Sequence, residues 1–240
     1  MELYARARQL VEEFGGQRYR FGSGALMAAA PWAREFGRKA LVVGNRRHLE
    51  PVFDLIIFQL QQLGVEVAGG EPIPGAGANT PAPDVARIRD AICEHNQDVV
   101  IAVGGGSTID GVKAAAAWSV LGGELAGYFG TGEVSKALKA SGREMLPLIA
   151  VQTAAGSGAH LTKYANVTFP DAGQKKLMVD EALVPARAVF DYSVTKTVPV
   201  NVSLDGALDG MSHLLEVFFG VGEGARDRAA ELVEAGLPLI

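Results

Sequence analysis

The chain has 240 residues, of which 48% are hydrophobic and 20% charged, and it carries a formal net charge of −5. That length suits one large domain or one and a half, and the apolar share is enough for a core. The acidic balance and scattered Lys and Arg exclude a nucleic-acid surface, and no apolar run approaches the ~18 residues of a membrane span.

Met1 to Arg6 reads as a polar helical segment and not a signal peptide. Lys39 to Val43 is an apolar strand bounded by Gly44. Residues 49–63 place Val52, Leu55, Ile56 and Leu60 at helical spacing. Val65 to Val67 is a short strand, and the Gly- and Pro-rich Gly69 to Pro83 is loop. Asp84 is expected to cap a helix from Val85 to His95. Cys93, the single cysteine, falls on an apparent apolar stripe of that helix, so a buried inert thiol is expected. One cysteine permits no internal disulfide, which suits a cytoplasmic protein. Val99 to Val103 is a buried strand, followed by glycines and a helix from Thr108 to about Val120. Leu146 to Val151 is another buried strand.

Strands alternating with helices predict an α/β nucleotide-binding domain, with parallel strands and crossover helices, over 1–195. From about Pro199 the character changes. Leu204, Ala207, Leu208, Met211, Leu215 and Phe218 follow a helical period. Residues 196–240 are therefore read as the start of an all-α domain that is incomplete in this chain.

Three stretches carry chemistry. In the first, a buried strand runs into Gly104-Gly105-Gly106-Ser107 and then a helix, so backbone N–H groups converge where a phosphate could sit. Glycine allows close approach and positive φ, and Ser107 or Thr108 can cap the helix. The alternative is a plain strand-to-helix turn. The second is Gln152 to His160, a polar turn that also ends a buried strand and so falls at the same sheet edge. In the third, Asp209 and His213 are four apart, which stacks a carboxylate and an imidazole on one helix face, a pairing able to hold a divalent metal.

Together these residues resemble the iron-containing alcohol dehydrogenase family, within the dehydroquinate synthase-like superfamily. Gly104 to Lys113 matches its GGGS-x-x-D-x-x-K run, including Asp110. Thr153 and Gly156-Ser157-Gly158-Ala159-His160 occupy its T-x-x-G-T-G-S-E segment, with His160 where Glu is usual. Asp209, His213 and Glu216 match its D-x-x-x-H-x-x-E metal helix. Phe21 to Ala25 and Pro185 to Asp191 fit further landmarks.

The resemblance implies an NAD(P)-dependent oxidoreductase that interconverts an alcohol and an aldehyde or ketone. It implies cofactor contacts at Gly44, Asn45, Gly104, Gly105, Gly106, Ser107, Asp110, Thr153 and Ser157. Asp209 and His213 are the implied catalytic ligands of Fe(II) or Zn(II), with two further histidines in family members beyond the point matching Ile240. Relative to such members the chain is C-terminally truncated. A homodimer acting on a small alcohol or carbonyl is expected, without nucleic acid or membrane. Asn45 stands where NAD-preferring members often have Asp, and Arg46-Arg47 follow, so NADP is slightly favoured over NAD. His160 either faces the cofactor or substrate or is a loop residue. The runner-up activities are of maleylacetate reductase, glycerol dehydrogenase or dehydroquinate synthase type. A noncatalytic nucleotide-binding remnant is the reading from a different class.

Overall fold

The structure, a computed structural model, describes residues 2–240. Met1, part of the expected N-terminal segment, lies outside them. Contacts divide the chain into two compact units. One is Arg20–Thr153 with Gly158–Lys196; the other is the stretch up to Tyr19, Ala154–Ser157 and Thr197–Ile240. The sequence suggests a single boundary at 195/196.

The larger unit is built on a sheet of β1 (Tyr19–Phe21), β2 (Lys39–Gly44), β3 (Glu66–Val67), β4 (Val99–Gly104), β6 (Leu148–Gln152) and β9 (Arg187–Phe190), in the order β1-β9-β6-β4-β2-β3. The ladders from β3 through β2, β4 and β6 to β9 are parallel. This is the expected α/β class. Alternate residues serve opposite faces, so both faces need cover and the strands read as continuous apolar runs. Leu41, Val43, Val100, Ala102 and Ala150 join the core under α4 (Ala82–His95) and α5 (Gly106–Leu121). Val42, Ile101, Val103, Ile149 and Val151 join the core under α2 (Ala29–Phe36) and α3 (Glu50–Gln62).

Every residue of α5 from Thr108 to Ala117 is buried. A helix covered all round belongs inside a domain. Here its outer cover includes a second, three-stranded sheet, ordered β5 (Gly130–Thr131), β8 (Gln174–Val179), β7 (Tyr164–Phe169). β7 and β8 form an antiparallel hairpin around Pro170–Ala172 and Gly173. This sheet and α6 (Glu133–Ser141) are absent from the sequence reading.

Two expectations about α4 are corrected. Its N-cap is Pro81, and Asp84 lies inside the first turn, where Oδ2 accepts from Gly77 N at 2.8 Å. Cys93 is exposed, because the buried face of α4 is Val85, Ile88 and Ile92 and the next position turns away from it.

In the smaller unit α1 (Glu2–Gly15) packs on α8 (Arg226–Gly236), with Arg6 paired to Glu231 and Arg228 3.6 Å from Glu13. The helix α7 (Val200–Gly220) packs on α8. It has no buried residue, and Leu204, Leu208 and Phe219 are exposed. No helix among the described residues is long and apolar enough to cross a membrane.

Candidate functional site

The order β3-β2-β4 reverses the direction of strand addition between β2 and β4. In open parallel sheets such a switch point opens a crevice at the carboxyl ends of the strands, and ligands bind there. Gly44 ends β2 and Gly104 ends β4, with Gly44 registered opposite Val103. Thr153, just past β6, is 6% exposed, and its N–H donates to Gly104 O at 3.0 Å. Gly44, Asn45, Gly104, Gly105, Gly106, Ser107 and Thr153 therefore share one edge.

The glycines serve packing more than backbone inversion. Gly105 is the N-cap of α5 with φ −81°, so the positive φ that glycine permits is not used there. Neither Ser107 nor Thr108 caps the helix. A Cβ on Gly104 would lie 2.7 Å from Thr108 Cβ, and one on Gly44 only 2.1 Å from Val103 O. A Cβ on Gly75 would meet Thr108 Oγ1 at 2.7 Å and Gly44 Cα at 3.1 Å. Small residues thus let two strand ends, one loop and the start of α5 converge.

That loop is the wall the sequence analysis missed. Asn45 Nδ2 donates to Ala76 O at 3.3 Å, and Ser107 Oγ accepts from Asn79 N at 3.1 Å. Thr80 Oγ1 donates to Ser107 O at 3.0 Å. Asn79 and Thr80 take φ of 60° and 53°, a region costly for a β-branched threonine and one that recurs where loops bind ligands. The sequence signal available was Gly75-Ala76-Gly77-Ala78-Asn79, where glycine and asparagine tolerate such turns.

Arg46, one of the two arginines that could pair with a 2′-phosphate, is paired with Asp54 and lies 4.0 Å from Glu50. Asp110 points instead to the hairpin. It is 8% exposed, and Oδ2 accepts from Asn166 N at 3.0 Å and Asn166 Nδ2 at 3.3 Å. Burial raises its pKa, against the opposing pull of Lys113. Lys113 is fully buried, and its Nζ donates to Thr162 O at 2.7 Å and Tyr164 O at 2.9 Å. Burial lowers the Lys113 pKa to about 8, with Asp110 opposing. The D-x-x-K half of the motif thus clamps β7 to α5 one turn after the glycine loop.

His160 is 6% exposed, with its ring 5.9 Å from that of Phe190. Burial, helped by the charge of Lys113, lowers its pKa to about 4. A lowered value means the unfolded chain takes up this proton first as pH falls. Stability is therefore full above ~6.5 and is lost between ~6.5 and ~4, by up to about 3 kcal/mol. Urea denaturation at pH 7, 5.5 and 4.5 should show that loss in the wild type and a shallower one in His160→Phe. Parallel profiles would show that His160 is not the titrating group.

In the smaller unit Asp209 and His213 lie on α7, with Nδ1 of His213 3.8 Å from Oδ2 of Asp209. Both side chains are about half exposed, at 48% and 55%. One carboxylate oxygen and one imidazole nitrogen form a donor set that suits Fe(II) or Zn(II). Gly156, with φ +114°, lies against this helix. A Cβ there would meet Gly206 Cα at 3.0 Å and Asp209 Oδ2 at 3.1 Å. Gly206, also missed from sequence, returns the fit: its Cβ would lie 2.7 Å from Ala155 O. Ser157 is exposed beside them. Glu216 accepts from Ser212 Oγ at 3.1 Å. No group of three or more His, Cys, Asp and Glu side chains converges among the described residues.

A parallel sheet whose switch point gathers two strand-end glycines and an uncapped helix start is an open α/β domain with its ligand crevice at the carboxyl ends of the strands. The family model described as iron-containing alcohol dehydrogenase matches residues 16–192, and the chain belongs to that family. Alcohol dehydrogenase 4 of Saccharomyces cerevisiae is 28% identical over 203 residues, which cover 82% of this chain and 50% of the relative. NADH-dependent butanol dehydrogenase B of Clostridium acetobutylicum is 28% identical over 218 residues, covering 88% and 53%. The crystal structure of NADH-dependent butanol dehydrogenase A from Thermotoga maritima shares the fold at a TM-score of 0.74 and 24% identity, over 90% of this chain and 56% of that one. A 1,3-propanediol oxidoreductase aligns at a TM-score of 0.77 and 22% identity, over 89% and 54%. The chain spans about half the length of the curated relatives it matches.

Proposed function

We propose that this chain supplies the nucleotide-binding part and two metal ligands of an oxidoreductase that interconverts a small alcohol and its aldehyde or ketone. The observation that carries this reading is the β2/β4 switch point, with Gly44 and Gly104 at its lips and the start of α5 between them. The backbone of Gly105 to Ser107 holds the pyrophosphate against the positive end of α5. Asn45 meets the adenosine ribose, and Thr153 lines the path of the dinucleotide. Asp209 and His213 hold the metal. When bound, the nicotinamide takes or gives the hydride and the metal acts as a Lewis acid on the substrate oxygen. Relatives named for methanol and butanol support short alcohols as the substrate class.

The test is fluorescence titration with NADH and NADPH, followed by alcohol oxidation with added Fe(II) or Zn(II). Nucleotide-dependent, metal-dependent turnover supports the proposal, and no nucleotide binding removes it. Binding without turnover favours the second reading, a noncatalytic nucleotide-binding protein. That reading is supported by the lack, among the described residues, of a third His, Cys, Asp or Glu side chain grouped with Asp209 and His213.

The turn after β2 also bears on cofactor choice. The names of some relatives carry NAD or NADH, whereas this turn offers the uncharged Asn45 and the exposed Arg47. We expect NADP(H) to bind more tightly than NAD(H). Asn45→Asp should reverse the order by roughly tenfold, because a carboxylate accepts ribose hydroxyls and repels a 2′-phosphate. Tighter NADH binding by the wild type, or an unchanged order in the variant, would defeat this.

A further inference from the structure

Pro74 to Gly77, in the loop between β3 and α4, have no regular secondary structure, yet a side chain holds a backbone group of each. Arg87 Nη1 donates to Pro74 O at 2.7 Å, and Arg87 Nη2 donates to Gly75 O at 2.8 Å. Asn45 Nδ2 donates to Ala76 O, and Asp84 Oδ2 accepts from Gly77 N. Arg87 Nη2 also lies 3.3 Å from Asp84 Oδ1. Asp84 and Arg87 are three apart on α4, so they sit on one helix face and act on the loop together.

The loop so held forms one side of the crevice. Ile73 N donates to Val42 O and Gly44 N to Ile73 O, both at 2.9 Å, so the loop starts beside the end of β2. Gly75 then fits against Gly44 and Thr108 with no room for a Cβ. Gly75 and Gly77 leave the backbone its widest freedom, so what fixes it comes from outside the loop. A guanidinium suits that task, because its planar fork presents N–H groups to two neighbouring carbonyls at once. We propose that Arg87, braced by Asp84, is a positioning residue for the nucleotide. It sets where the wall at Gly75 and Ala76 stands and, through Ala76 O, where Asn45 stands. This role rests on the nucleotide reading given above. The simpler alternative is a cation that attracts an anionic ligand by charge alone. Lysine separates the two, since it keeps the charge but has no fork to span both carbonyls.

The test is NADPH titration of the whole chain, with amide hydrogen exchange and circular dichroism on the same proteins. Arg87→Lys and Arg87→Met should each bind NADPH at least ~10-fold more weakly than the wild type. Exchange at residues 75–80 should speed up in both, with or without nucleotide. Asn45→Ala should weaken binding by a similar factor. Because Arg87 and Asn45 act through one wall, the double variant Arg87→Met/Asn45→Ala should bind about as weakly as either single variant, not ~100-fold more weakly. If Arg87→Met does not fold, Arg87→Lys carries the comparison, alone and combined with Asn45→Ala. Wild-type affinity in Arg87→Lys would reduce Arg87 to a charge and overturn the positioning role. Additive losses, or unchanged exchange at residues 75–80 in a folded variant, would overturn it as well. A wild type that binds no nucleotide would instead remove the nucleotide reading itself and this role with it.

Discussion

Replacing Gly105 with alanine is expected to weaken NADH and NADPH binding at least ~10-fold while moving the melting temperature by no more than about 2 °C. The backbone of Gly105, φ −81° and ψ −171°, is one that alanine adopts freely, so the fold should tolerate the change. In the proposed site the added methyl would instead stand where the pyrophosphate approaches the first amides of α5. Gly104→Ala is the contrasting case. Its Cβ would press on Thr108 at 2.7–2.8 Å, forcing the first turn of α5 away from β4. That variant should lose about 1–3 kcal/mol of stability as well as nucleotide affinity. Denaturant melts and fluorescence titrations on the two proteins separate the roles. Full nucleotide affinity in Gly105→Ala would show that the loop is only a strand-to-helix turn.

The parts of the fold legible in the sequence are those where one signal acts alone. β2, β4 and β6 are buried on both faces, so each reads as an uninterrupted apolar run, and only their ends shift by a residue or two. The hairpin was hidden because β7 and β8 are half covered. Ala165 and Val167 face the core while Lys175, Lys176 and Thr168 dilute the pattern. Cys93 misleads for a related reason: a helix face is set by a turn of 100° per residue, and Cys93 sits one step beyond Ile92. At the candidate site, Gly104 to Ser107 stand out by residue type. The loop from Gly75 to Thr80 does not, because much of its contribution is a carbonyl at Ala76 and an amide at Asn79. Backbone groups leave no residue-type signature. The D-x-x-K pair was legible as a motif but not as a clamp, since Asn166 and Tyr164 approach it only once the hairpin has formed.

His213→Ala and Asp209→Ala are each expected to weaken Zn(II) or Co(II) binding at least ~10-fold and, wherever metal-dependent turnover is measurable, to abolish it. In the proposed metal site each supplies one of two donors 3.8 Å apart, so either substitution leaves a single donor. The Asp209 carboxylate is also bounded by the backbone of Gly156, which limits where neighbouring groups could move to replace it. Both side chains are about half exposed on α7, a position where truncation to alanine leaves the helix intact. Far-ultraviolet circular dichroism and nucleotide affinity should therefore stay at wild-type values. Glu216→Ala is the control on the same helix. Its carboxylate is held by Ser212 rather than by the pair, and removing it should change metal affinity by less than about threefold. Calorimetric titration of the three variants decides between a metal site and a surface pair. Wild-type metal affinity in His213→Ala would reduce Asp209 and His213 to an exposed helical i, i+4 contact worth ~0.5 kcal/mol or less.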